Sequence, residues 1–137
     1  MGMPVDSTQL KDQLAPLCAN PAIQLVILFG SAVKGPTHGR SDLDLAILGK
    51  EPLDIVDLTN RVMALLHTTR VDVVDLRRAS PLLAMEVIKG GRLIYERQPG
   101  QYAAFCSLAH RRYVDTAKLR AAQKEAIARF IHARGLA

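Results

Sequence analysis

The chain predicts an α/β (α+β) fold: a small mixed β-sheet with flanking helices, followed by a long C-terminal helix. Three observations carry this. Four short runs at 23–29, 43–48, 71–76 and 92–95 are rich in Val, Ile and Leu and have strand length. Apolar residues recur at helical spacing before, between and after them. From residue 101 to about 134 no Pro or Gly interrupts a stretch rich in Ala, Lys, Arg and Gln.

The elements follow in order. Residues 7–19 read as a helix, with Leu10, Leu14, Leu17 and Cys18 on one stripe and Pro16 as a kink or early end. The strand 23–29 stops at Gly30-Ser31, after which residues 32–34 suit a short helical turn. Pro36-Thr37-His38-Gly39 is a turn by composition. The second strand, 43–48, follows closely, so the first two strands are expected as neighbours, with their relative direction open. Ile55, Leu58, Val62, Leu65 and Leu66 predict a helix over about 53–67. The strand 71–76 comes next. Ser80-Pro81 is a strong helix start, Ser as cap and Pro in the first turn, and Gly90 closes that helix. Two units are expected: 1–98 as the main domain, and 99–137 as a helical extension packing on the core or on a partner.

Composition bounds the function. At 137 residues the chain fits one domain with a real core. Hydrophobic residues make up 49% and charged residues 23%, which argues against disorder throughout. No apolar stretch approaches the roughly 20 residues that cross a bilayer, and no secretory signal pattern is visible. Cys18 and Cys106 lack the spacing of a zinc site or disulfide framework, which suits reduced thiols in a cytoplasmic protein. The net charge of +5 is unevenly placed: residues 1–96 carry ten Lys or Arg against eleven Asp or Glu, residues 97–137 eight against two. A basic tail can meet nucleic acid or an acidic protein surface, but aromatic interleaving and nucleic-acid motifs are lacking, so nucleic acid is not the expected partner.

The chemistry concentrates in Phe29-Gly30-Ser31-Ala32-Val33-Lys34-Gly35 and Ser41-Asp42-Leu43-Asp44-Leu45. Gly30 lets backbone approach a ligand closely, and Ser31 offers a hydroxyl where a helical turn begins, a place that favours phosphate. Lys34 can neutralise a phosphate or simply be solvated, and Gly35 lets the chain turn back. Asp42 and Asp44 are two apart, so on a strand they share a face. Two such carboxylates repel each other, and Mg²⁺, which takes oxygen ligands from carboxylates and substrate phosphates, gives a reason for the pair. Ser41 can cap the turn or support the carboxylates. A two-metal site wants a third carboxylate. Asp72 and Asp75, three apart, face opposite ways on a regular strand, so one reaches the site. Asp72 is favoured, with Asp75 expected at an easily exposed strand end.

The pattern Gly30-Ser31-x3-Gly35-x5-Ser41-Asp42-x-Asp44-Leu45 resembles the signature of the DNA polymerase β-like nucleotidyltransferase superfamily. Chain length and the segment Val71-Asp72-Val73-Val74-Asp75-Leu76-Arg77-Arg78 resemble the minimal nucleotidyltransferases, antitoxins paired with HEPN-domain toxins. The resemblance covers about residues 23–96. It implies a nucleotidyltransferase fold, ATP and Mg²⁺ as cosubstrates, and transfer of AMP to a hydroxyl, a tyrosine of the partner toxin, which silences it. Gly30 and Ser31, with Ser41 and Lys34 beside them, would hold the triphosphate, and Asp42, Asp44 and Asp72 would bind metal, Asp72 as base or metal bridge. Family members often carry Arg where this chain has Lys34, which keeps the charge without the bidentate fork. No His has an implied role, and His38 is read as solvated.

Outside the matched core, Leu119, Ala122, Ala126, Ile127, Phe130 and Ile131 make an apolar stripe on the C-terminal helix. It can pack on the chain's own sheet or serve as a docking face. Two further functions stand beside transfer to a toxin: neutralisation by contact without catalysis, and transfer to a small molecule, which usually needs an acceptor domain not visible here.

Overall fold

A computed structural model describes residues 6–30 and 43–135. The helices are α1 (Ser7–Gln13), α2 (Ala15–Cys18), α3 (Ile55–Leu66), α4 (Pro81–Gly90), α5 (Gln101–Asp115) and α6 (Ala117–Ala133). The strands are β1 (Ile23–Phe29), β2 (Leu43–Gly49), β3 (Val71–Asp75) and β4 (Arg92–Glu96). They form one mixed sheet in the order β3-β2-β1-β4. β1 runs antiparallel to β2 and to β4, which settles the direction the sequence left open. β2 and β3 are parallel, as the intervening α3 allows.

Period-two alternation divides the sheet between two cores. On one face Val26, Leu28, Leu45 and Ile47 pack with Leu10, Leu14 and Leu17 of the N-terminal helices and Leu58 and Val62 of α3. On the other, Ile27 and Ala46 pack with Val87 of α4, joined by half-buried Phe29, Val74, Tyr102 and Phe105. Arg97 ties the N-terminal helices to β1: its guanidinium donates to the carbonyls of Cys18, Asn20 and Ile23 at 2.8, 2.7 and 2.8 Å.

Two expected helices are each divided. The stretch 7–19 breaks at Leu14, where Pro16 in the first turn of α2 cannot continue an incoming helix. The four predicted stripe residues are all buried. The long C-terminal helix breaks at Thr116, whose hydroxyl donates back to the carbonyls of Arg112 (2.9 Å) and Tyr113 (3.2 Å). Arg120 donates to Thr116 Oγ1 and to the Tyr113 carbonyl and stacks over the Tyr113 ring at 4.0 Å. Side-chain bonding to nearby carbonyls competes with the helical ladder.

α5 packs on α4, β1 and β4. α6 buries no residue. Leu119, Ile127 and Phe130 are 57%, 60% and 53% exposed, so the apolar stripe does not pack on the chain's sheet. The predicted turns at 32–34 and 36–39 lie outside the described residues.

Candidate active site

The register of the three central strands assembles the site. Phe29, last in β1, pairs with Asp44 of β2, and Asp44 pairs with Asp72 of β3. Neighbouring strands lie about 4.8 Å apart, and register partners share a face. Asp44 and Asp72 therefore stand side by side on one face, at the end of the sheet where β1 finishes and β2 and β3 begin. Asp44 is half-buried and Asp72 exposed.

Gly30 lies against this pair. Its φ of +80° is in the left-handed region, and a Cβ placed on it would run into the Asp44 carboxylate, 3.2 Å from Cγ and closer still to Oδ2. The backbone at Gly30 thus approaches Asp44 as no other residue type permits. Ser31, Lys34, Ser41 and Asp42 lie outside the described residues.

Asp75 has the reverse of its expected exposure: it is buried at 6%. Its Oδ2 accepts from the Leu53 amide at 3.1 Å and its Oδ1 from the Arg77 amide at 3.0 Å. Arg78 Nε stands 3.7 Å from Oδ2. The carboxylate fastens the far end of β3 to the β2–α3 connection, and Arg77 grips the Gly49 carbonyl there through Nε and Nη2 at 3.2 and 2.6 Å. These holding roles were missed in the sequence. The one available signal, a three-residue offset from Asp72, gives the face but not the partners.

The donor set suits a hard cation as far as it is described. Two carboxylates in register offer oxygen ligands, the donor type by which Mg²⁺ is usually held. Among the described residues no three His, Cys, Asp or Glu side chains converge on a metal position. The two shifted titrations lie away from the pair. Burial pushes the Cys18 thiol up to about 11. Burial, then a hydrogen bond with Cys106, pushes the Tyr102 hydroxyl up to about 12. A 340 Å³ cavity lined by Leu48, Leu76, Arg77, Phe105 and Arg112 lies at the other end of β2 and β3.

Gly30 abutting one carboxylate, with a second carboxylate in register on the next strand, is the described part of the candidate site. The model of the family "Polymerase beta, Nucleotidyltransferase" matches residues 12–100, and the chain belongs to that family. Over 81 residues it is 37% identical to the protein adenylyltransferase MntA of Shewanella oneidensis, a match spanning 57% of this chain and 58% of that relative. A second adenylyltransferase MntA, of Aphanizomenon flos-aquae, is 26% identical over 97 residues, 62% of this chain and 65% of the relative. The chain thus matches under two thirds of the length of each. Among solved structures it is similar to a toxin–antitoxin crystallised with AMP-PNP, with a TM-score of 0.73 and 28% identity over 85% of this chain and 98% of that one. The shared fold is the mixed four-stranded sheet with flanking helices.

Proposed function

We propose that the protein transfers AMP from ATP to a hydroxyl, a tyrosine, of a partner HEPN-domain toxin, and so acts as its antitoxin in the cytoplasm. The observation that carries this is the register Phe29–Asp44–Asp72 with Gly30 abutting Asp44. Its similarity to adenylyltransferases and to a toxin–antitoxin structure holding an ATP analogue supports the substrate and the partner.

In this reading Gly30 and Ser31, with Ser41 and Lys34, hold the triphosphate. Asp42, Asp44 and Asp72 hold Mg²⁺, which when bound supplies neutralisation of the phosphate charge and a template for the displacement. The acceptor oxygen forms a bond to the α-phosphorus, the bond from that phosphorus to the bridging oxygen breaks, and pyrophosphate leaves. Asp72, exposed on the strand beside Asp44, takes the hydroxyl proton. Residues 99–137 serve as a helical extension whose exposed, basic α6 docks the partner.

The test is incubation with labelled ATP, Mg²⁺ and the purified toxin. Label on the toxin, abolished by Asp42→Ala with Asp44→Ala, is expected. An unlabelled toxin, with wild type and double variant alike, overturns the reading. The exposure of Leu119, Ile127 and Phe130 favours a second reading, neutralisation by contact alone. Under it the double variant still blocks the toxin.

A further inference from the structure

β3 is the outermost strand on its side of the sheet and has one neighbouring strand, β2. The two run parallel, with Asp72 opposite Asp44 and Asp75 opposite Ile47. A slide of β3 along β2 would carry Asp72 away from Asp44 by the full length of the slide. An extended strand transmits such a displacement undiminished, because planar peptides of fixed length let it neither stretch nor compress much. Asp75, three residues and about 10 Å further along the strand, therefore moves with Asp72.

Hydrogen bonds that resist a slide gather at and just beyond Asp75. The Leu76 amide donates to the Ile47 carbonyl at 3.0 Å. The Asp75 carboxylate accepts from the Leu53 amide, in the connection that follows β2, at 3.1 Å. Arg77 donates to the Gly49 carbonyl through Nε and Nη2 at 3.2 and 2.6 Å. The Arg77 amide donates in turn to Asp75 Oδ1 at 3.0 Å, so the two residues act as one clamp. The β2 side of the clamp is itself anchored. Gly49 pairs with Ile23 of β1, and the Lys50 amide donates to the Ala22 carbonyl at 2.9 Å. Leu53 sits so close over Gly49 that a Cβ there would lie 2.5 Å from Leu53 Cδ2. An apolar residue at position 75 would hold β3 to the core without the cost of burying a carboxylate. What the carboxylate adds is direction, since its bonds form at one strand position only.

We infer that Arg77 is a positioning residue for the transfer step: with Asp75 it fixes β3 along β2 and so sets Asp72 against Asp44. The inference rests on the transfer reading above, which gives Asp44 and Asp72 a joint task. Arg77 itself lies at the opposite end of the strand and touches no reactant in this reading. Its effect on the reaction passes through the strand to Asp72.

The experiment is a double-mutant cycle read by metal binding. The Arg77 side chain is exposed, so replacing it leaves the core intact. Mn²⁺ serves as the probe in place of Mg²⁺. Its affinity is measured by electron paramagnetic resonance, with AMP-PNP present, in wild type, Arg77→Ala, Asp72→Ala and the double variant, each well below its thermal midpoint. Arg77→Ala is expected to weaken Mn²⁺ binding about fivefold or more when Asp72 is present, and by less than about twofold when position 72 is alanine. In labelled-AMP transfer to the HEPN toxin, Arg77→Ala should lose about tenfold in kcat, a part of the about 100-fold that a misplacement of about 1 Å costs. The KM for toxin should stay within about twofold. Arg77→Lys, which keeps a donor for Gly49 without the fork, should recover part of both losses. Equal weakening of Mn²⁺ binding in the two Asp72 backgrounds overturns the inference, since Arg77 would then act on the fold at large. So does an unchanged Mn²⁺ affinity in Arg77→Ala. A wild type that binds Mn²⁺ but labels no toxin overturns the transfer reading instead, and a wild type that binds no Mn²⁺ overturns both.

Discussion

Replacing Gly30 with Ala probes the close approach of the backbone after β1 to the Asp44 carboxylate. Two costs follow. The first is conformational: a Cβ at φ +80° meets the neighbouring carbonyl, costing about 1–2 kcal/mol. The second is local: the new methyl occupies the space of Asp44 Oδ2, so the carboxylate must move or the turn must shift. Gly100 separates the two costs. It sits at φ +92°, yet a Cβ there meets nothing within 4 Å. Gly30→Ala and Gly100→Ala should therefore lose about the same 1–2 kcal/mol in urea unfolding. Both stay folded, since domains of this size hold about 5–15 kcal/mol. In labelled-AMP transfer they should part company. A displacement of about 1 Å at a reacting group costs about 100-fold in rate, and only Gly30→Ala should show it. Gly30→Ala transferring within about threefold of Gly100→Ala would refute the claim that the Gly30–Asp44 approach sets the site geometry.

Further outcomes are expected elsewhere. Asp75→Ala leaves two backbone amides, Leu53 and Arg77, without their acceptor and should cost about 2–4 kcal/mol by urea or thermal unfolding. Cys18, its thiol pushed up to about 11 by burial, should hardly react with a thiol reagent at pH 8 until the protein unfolds. Because its folded pKa lies above the unfolded value of 9.0, its contribution to stability is whole below pH 9 and fades as pH climbs toward about 11. Urea midpoints measured across that range should fall, and Cys18→Ala should flatten the fall. Ile127→Asp with Phe130→Asp, both on exposed positions of α6, should change stability by no more than about 0.5 kcal/mol while abolishing co-elution with the toxin on size exclusion.

Much of the fold was legible because local pattern and tertiary demand agree. The run Ile23–Phe29 is strand-rich, ends at a glycine and is the most buried strand of the sheet. Ser80-Pro81 starts α4 as its types predict, with Ser80 Oγ accepting from the Leu83 amide at 3.1 Å. The helix breaks were harder to read. Pro16 announces one, but Thr116 is an ordinary helix residue whose hydroxyl bonds back to the carbonyls of Arg112 and Tyr113.

The candidate site shows the same boundary. Residue types and spacing in the chain singled out Gly30, Asp44 and Asp72 as candidates, and the structure brings these three together at one end of the sheet. The contrast between Asp72 and Asp75 required register. Both are aspartates on one five-residue strand, and cross-strand pairing sets one opposite Asp44 in solvent and sends the other into the core to hold Leu53 and Arg77. The fate of the α6 stripe was likewise undecided in the chain, since an amphipathic pattern states that a face wants covering and not what covers it. Folding left Leu119, Ile127 and Phe130 outside because α5 already occupies the sheet, and non-local packing of that kind leaves no mark on the residues it excludes.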